Sequence, residues 1–154
     1  MSTPVEDILS GPALPITGGC QCGAVRYAVD AEPIGCWACH CAQCRKQSGS
    51  AFGLSMLVPL DAFRFVAGEP AVWTRTAASG NLLDCLFCAT CGSRIAHRRH
   101  LHEGRITLKP GTLDDPRWIA PTRHFFAEEA LAWTEPLRRA DAAPEADCVT
   151  APAR

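Results

Sequence analysis

Cysteines stand in three tight groups along this chain: Cys20 and Cys22 in GGCQCG, Cys39, Cys41 and Cys44 in CHCAQC, and Cys88 and Cys91 in FCATCG. Residues one or two positions apart rarely bond to each other, yet they readily turn two thiolates toward one ion. Each of the two pairs can supply half a tetrahedron and would meet the other from a distant part of the chain, while Cys39, Cys41 and Cys44 form a set of their own. A disulfide scaffold is the competing use for ten cysteines in 154 residues, and it belongs to secreted proteins. The first fifteen residues carry Glu6 and Asp7, with no basic cluster ahead of an apolar run, so they do not read as a signal peptide. A cytoplasmic location and metal ligation are the expectations. Zinc is preferred over iron, because the thiolates show no iron–sulfur spacing.

The length suits one domain with a single core. A formal charge of -1 gives no long-range attraction to nucleic acid or to a membrane surface. No apolar run approaches the roughly 18 residues that a spanning helix needs. Residues 1–15 and 140–154 are rich in Pro, Ala and small polar residues and are expected to be flexible, leaving 16–139 as the zinc-binding domain. Within it, Val25, Tyr27 and Val29 alternate with Ala24, Arg26 and Ala28, which is a strand pattern behind a glycine turn. Further short strands are expected at 53–58, 63–66, 72–75, 82–87 and 105–108. One helical turn is expected at Gln43–Ser48, and a strand followed by a short turn in HFFAEEALAWTE. The fold class is mainly β, with short strands clamped by two metal sites.

The two pairs, Cys20 with Cys22 and Cys88 with Cys91, supply four thiolates, which close a tetrahedral shell and make that zinc structural. Gly18, Gly19, Gly23 and Gly92 permit the tight turns around them. Cys39, Cys41 and Cys44 supply three, which leaves one position open, as in a catalytic site. Arg45 and Lys46 would balance the net charge of that second centre. Cys36, three residues before Cys39, is the alternative fourth ligand and would close it. His40, between two ligands, is expected to point away from the metal, as a proton shuttle, an outer hydrogen-bond donor or a bystander. His97, His100 and His102, beside Arg98 and Arg99, read as a solvated basic loop. Cys85 reads as a small buried apolar residue and Cys148 as an incidental tail thiol.

The segments GGCQCGAVRY, CHCAQCRKQSGSAF, FCATCGSRI and GTLDDP, in this order, together resemble the glutathione-dependent formaldehyde-activating (GFA) family, which includes the centromere protein V type proteins. The resemblance spans residues 16 to about 135. It implies a β-tent fold, a structural zinc on Cys20, Cys22, Cys88 and Cys91, and a second zinc on Cys39, Cys41 and Cys44. The activity it implies is that of a carbon–sulfur lyase forming S-(hydroxymethyl)glutathione from glutathione and formaldehyde, or acting on a related thiol or carbonyl adduct. Arg45, Arg94 and Arg123, in or beside these segments, are candidates for the glutathione carboxylates. The alternative is a non-catalytic, zinc-stabilised module that binds a protein or nucleic acid. The acidic stretch from Asp141 to Asp147 argues against the nucleic-acid form of it.

Overall fold

Short apolar runs cut by Gly, Pro and Asp cannot form long elements, and among the described residues they form ten strands and one two-turn helix. The computed structural model describes residues 11–77, 79–101 and 104–134. His102, Cys148 and the tail from Ala140 lie outside the described residues, as do positions 1–10 of the expected flexible start. In chain order the elements are β1 (Ile16–Gly19), β2 (Arg26–Val29), β3 (Gly35–Cys39), α1 (Ala42–Ser48), β4 (Gly53–Pro59), β5 (Phe63–Ala67), β6 (Ala71–Thr76), β7 (Leu82–Phe87), β8 (Arg94–Arg99), β9 (Arg105–Leu108) and β10 (Arg123–Phe125). The mainly β class is as expected. No helix among the described residues is long and apolar enough to cross a membrane.

The strands form a three-stranded sheet in the order β1-β2-β5 and a seven-stranded sheet in the order β10-β3-β4-β9-β8-β7-β6. All pairings are antiparallel except β10 with β3. The expected alternation decides what the small sheet buries: Val25, Tyr27 and Val29 enter the core with Ile16. The large sheet answers with Met56, Val58, Ala96, Ile106 and Leu108, so the two sheets share one core. Arg26 pairs with Asp114 at the edge of this packing, and Tyr27 Oη lies 2.8 Å from Thr112 Oγ1.

Gly18 in β1 is required for close approach. A Cβ built there would meet the Tyr27 ring and stand 2.5 Å from the Thr112 carbonyl oxygen. Main chain cannot yield as a flexible side chain does, so Gly18→Ala is expected to lower stability by ~1–3 kcal/mol in denaturant titration of the metal-loaded protein. An unchanged midpoint would show that β1 slides freely on the core.

Three strands depart from the sequence expectation. β1 is half glycine and β3 (GCWAC) is rich in cysteine, so neither shows an apolar alternation. The third, β8, corrects the reading of His97, Arg98 and Arg99 as a solvated loop. β8 lies between β7 and β9, which leaves His97 half-buried opposite Thr107, while Arg98 and His100 reach Asp84 at 3.5 and 3.0 Å. Main-chain pairing on both sides outweighs the polar character of the side chains.

Candidate metal centre

The first cluster forms where the two sheets are tied together. Cys20 and Cys22 follow β1, in a turn closed by Cys20 N–H to the Val25 carbonyl (3.0 Å) and Gly23 N–H to the Cys20 carbonyl (3.1 Å). Cys88 and Cys91 occupy the turn between β7 and β8, closed by Cys88 N–H to the Ser93 carbonyl and Gly92 N–H to the Cys88 carbonyl, both 2.9 Å. Gly23 and Gly92 have φ of 79° and 75°, a backbone that favours glycine. All four sulfurs lie within 4.8 Å of one another. Cys20–Cys22 and Cys22–Cys88 sulfur separations are 3.6 and 3.8 Å, close to the about 3.8 Å spacing of a tetrahedron with zinc–sulfur bonds near 2.3 Å.

Neighbouring dipoles prepare these sulfurs for ionisation. Val25 N–H donates to Cys20 Sγ at 3.2 Å and lowers that thiol's pKa. Ser93 Oγ stands 3.2 Å from Cys91 Sγ and accepts the Gln21 N–H at 3.1 Å. The Ser93 hydroxyl is the main cause that brings Cys91 down to about 5. Cys22, although the Ala24 amide favours its thiolate, is pushed up to about 11 by the sulfurs of Cys20 and Cys91. Four thiolates at this spacing need a cation, so the donor set fits a metal ion.

The second cluster is built at one end of α1. Cys39 ends β3, Cys41 is the N-cap of α1, and Cys44 lies in its first turn. Cys41 Sγ accepts the Cys44 N–H at 3.4 Å and lies 3.5 Å from Cys39 Sγ. Gly49, left-handed at φ 60°, ends the helix by donating its N–H to the Arg45 carbonyl. The three sulfurs lie within 4.8 Å of one another, and no fourth Cys, His, Asp or Glu joins them among the described residues. Burial pushes Cys44 up to about 12, with the sulfurs of Cys39 and Cys41 adding to it, and a cation would relieve this. Cys36 does not join the cluster. It packs against the core shared by the sheets, and three residues along a strand place it on the opposite face from Cys39.

β10 and the segment after it close around this cluster. Phe125 lies opposite Cys39 in the β10–β3 pairing and accepts the His40 N–H at 2.9 Å. Glu129 accepts the Ala42 N–H through Oε2 at 3.2 Å, and Arg45 donates to the carbonyls of His40 (2.7 Å) and Glu129 (2.8 Å). The His40 ring is buried, stacks on His124, and has Nε2 2.9 Å from His124 Nδ1. His124 is exposed, so the two imidazoles link the interior beside Cys39 and Cys41 to the surface.

Register places the second cluster on the face of the seven-stranded sheet away from the core. Cys39 pairs with Gly53 and Trp37 with Ser55, so these four share that face. A Cβ at Gly53 would stand 3.1 Å from Cys44 Cβ and 3.2 Å from Gln47 Nε2, which shows how closely α1 lies on β4. Beyond Gly53, Ser55 Oγ accepts from Lys109 Nζ at 3.3 Å. A cavity of about 500 Å³ opens here, lined by Gln47, Gly53, Ser93, Arg94, Lys109 and Thr112 among others. Of the three arginines expected from sequence, Arg94 lines this cavity. Arg45 braces α1, and Arg123 is exposed on β10, the end strand of the sheet. Lys109, Ser93, Glu129 and His124 carried no motif signal, except that Ser93 lies two residues after Cys91.

The family described as glutathione-dependent formaldehyde-activating enzyme matches residues 15–129, which include all seven clustered cysteines. The chain belongs to this family. A crystal structure of a Rhodobacter sphaeroides protein, 22% identical, matches 69% of this chain and 92% of its own with a TM-score of 0.53, which is a likeness of fold. The two cysteine clusters could each hold a metal ion. Ser93→Ala removes the hydroxyl beside Cys91 and the acceptor for Gln21. Metal affinity of the four-cysteine centre is expected to fall ~10–100-fold. Because the Cys91 pKa rises in this variant, acid release of the metal should begin at higher pH. A chelator competition followed across pH checks both.

Proposed function

We propose that the chain is a zinc-dependent enzyme of carbon–sulfur lyase type, acting on the adduct of glutathione and formaldehyde or on a closely related thiol–carbonyl adduct. The observation that carries this reading is the three-sulfur group of Cys39, Cys41 and Cys44, with no fourth ligating side chain beside it among the described residues. Membership in the GFA family supports the substrate class. The four-sulfur group of Cys20, Cys22, Cys88 and Cys91 is assigned to a structural zinc.

A zinc at the three-cysteine centre supplies Lewis acidity, which favours the ionised form of a thiol at neutral pH. The protein's residues set the conditions. Cys44 N–H bonds to Cys41 Sγ and fixes one ligand, while α1, pinned by Arg45 and Glu129, keeps Cys44 beside it. In synthesis, the thiolate sulfur of glutathione forms a bond to the formaldehyde carbon, the carbonyl π pair moves to oxygen, and that oxygen takes a proton. Cleavage reverses each step. We assign the movement of that proton to His40 and His124, whose 2.9 Å contact leads from the buried side to solvent.

Because thiols add to formaldehyde unaided, the test is rate at equilibrium. Exchange between free formaldehyde and S-(hydroxymethyl)glutathione, followed by NMR, should be faster with zinc-loaded protein than with buffer or with Cys44→Ser protein. Equal exchange in all three would remove this assignment.

A further inference from the structure

The cavity beside α1 is lined by two cations and no carboxylate. Arg94 has no carboxylate partner among the described residues; the buried Cys85 thiol is beside its guanidinium, and its Nε is buried without a hydrogen-bond partner. Gln47 Oε1, which belongs to the same lining, is likewise buried and unpartnered. Lys109 is buried and is held by Ser55 alone among the described residues. Burial draws its pKa down to about 8, which leaves it mainly protonated at neutral pH. Buried cations without counterions are costly, and a bound anion removes that cost. The cavity lies between the two centres: it reaches Cys91 of the four-cysteine centre on one side, and on the other Gly53, which lies opposite Cys39 and against Cys44 and is two residues along β4 from the Ser55 that holds Lys109.

We propose that Arg94 and Lys109 form a carboxylate subsite, which selects an anionic thiol and holds its body in the cavity while its sulfur lies at the three-cysteine centre. The assignment rests on the thiol reading given under Proposed function and adds where the ligand's charge is read. Arg94 provides a planar fork for a carboxylate, and Lys109, in the same lining, a point charge. Gln47 offers an amide that accepts or donates to the same ligand. The competing role for both cations is to offset the negative charge of three thiolates on a dication.

The test measures calorimetric binding of three probes to zinc-loaded protein: glutathione, its diethyl ester, and S-methylglutathione. The expected result is that glutathione binds at least ~10-fold more tightly than the ester, because the ester loses the charge-assisted hydrogen bonds. Arg94→Gln and Lys109→Met should each shrink that preference and leave ester binding and zinc content unchanged. Methionine fills the buried lysine's space, and Arg94→Lys, which restores charge without the fork, should recover part of the preference. Equal binding of glutathione and its ester overturns the subsite, as does a variant that loses zinc but keeps the wild-type preference. S-methylglutathione separates the two readings: if it binds as tightly as glutathione, the thiol assignment falls while the carboxylate subsite stands. Failure of all three probes to bind overturns the subsite too.

Discussion

Cys88→Ser is expected to yield a chain that no longer unfolds cooperatively and retains no metal at the four-cysteine centre. Cys88 is 1% exposed within the core, and its sulfur lies 3.8 Å from that of Cys22, across the junction of the two sheets. Cys20 and Cys22 hang from the three-stranded sheet, and Cys88 and Cys91 from the seven-stranded one. An ion held by all four fixes both sheets together. Structural zinc supplies ~10–16 kcal/mol in small zinc domains, whereas a domain's net stability is ~5–15 kcal/mol, so its loss is enough to unfold the chain. Circular dichroism and metal analysis of purified protein would check this. A Cys88→Ser protein with a sharp transition and two bound ions would refute it.

Cys44→Ser should behave differently. The three-cysteine centre sits on the outer face of the seven-stranded sheet, and its ligands come from β3 and α1 alone. Losing its ion leaves the core between the sheets intact. The variant is expected to fold, to hold one ion rather than two, and to lose the lyase-type exchange. Replacing a ligand should weaken metal binding by more than the ~10–100-fold typical of an outer hydrogen-bond partner. Elemental analysis beside a thermal melt separates this from general damage: an unfolded Cys44→Ser protein would show that the second centre is structural as well.

What the sequence disclosed about these sites follows from where the information lies. Ligand spacing is local, so GGCQCG, CHCAQC and FCATCG displayed both cysteine sets without a fold. The inward set Val25, Tyr27 and Val29 was also visible, since alternation is a property of a single strand. Cys36 could not be settled in the same way. Only the knowledge that β3 is a strand, through its pairing with β4 and β10, sends Cys36 and Cys39 to opposite faces. The polar cavity was hidden for a similar reason. Arg94 and Lys109 belong to segments with no common motif, and only the order β4-β9-β8 brings them to one face. β8 itself does not show in the sequence, because RIAHRR carries the charges of a loop while its pairing partners lie elsewhere in the chain.

Among the described residues the two centres differ by one ligand. Zinc X-ray absorption on the metal-loaded protein, without added thiol, measures this directly together with metal content. The predicted result is two zinc ions per chain, one bound by four sulfurs and the other by three sulfurs and a lighter atom, with Cys36→Ser giving the same spectrum. Two four-sulfur shells, or the loss of one ion in Cys36→Ser, would contradict it.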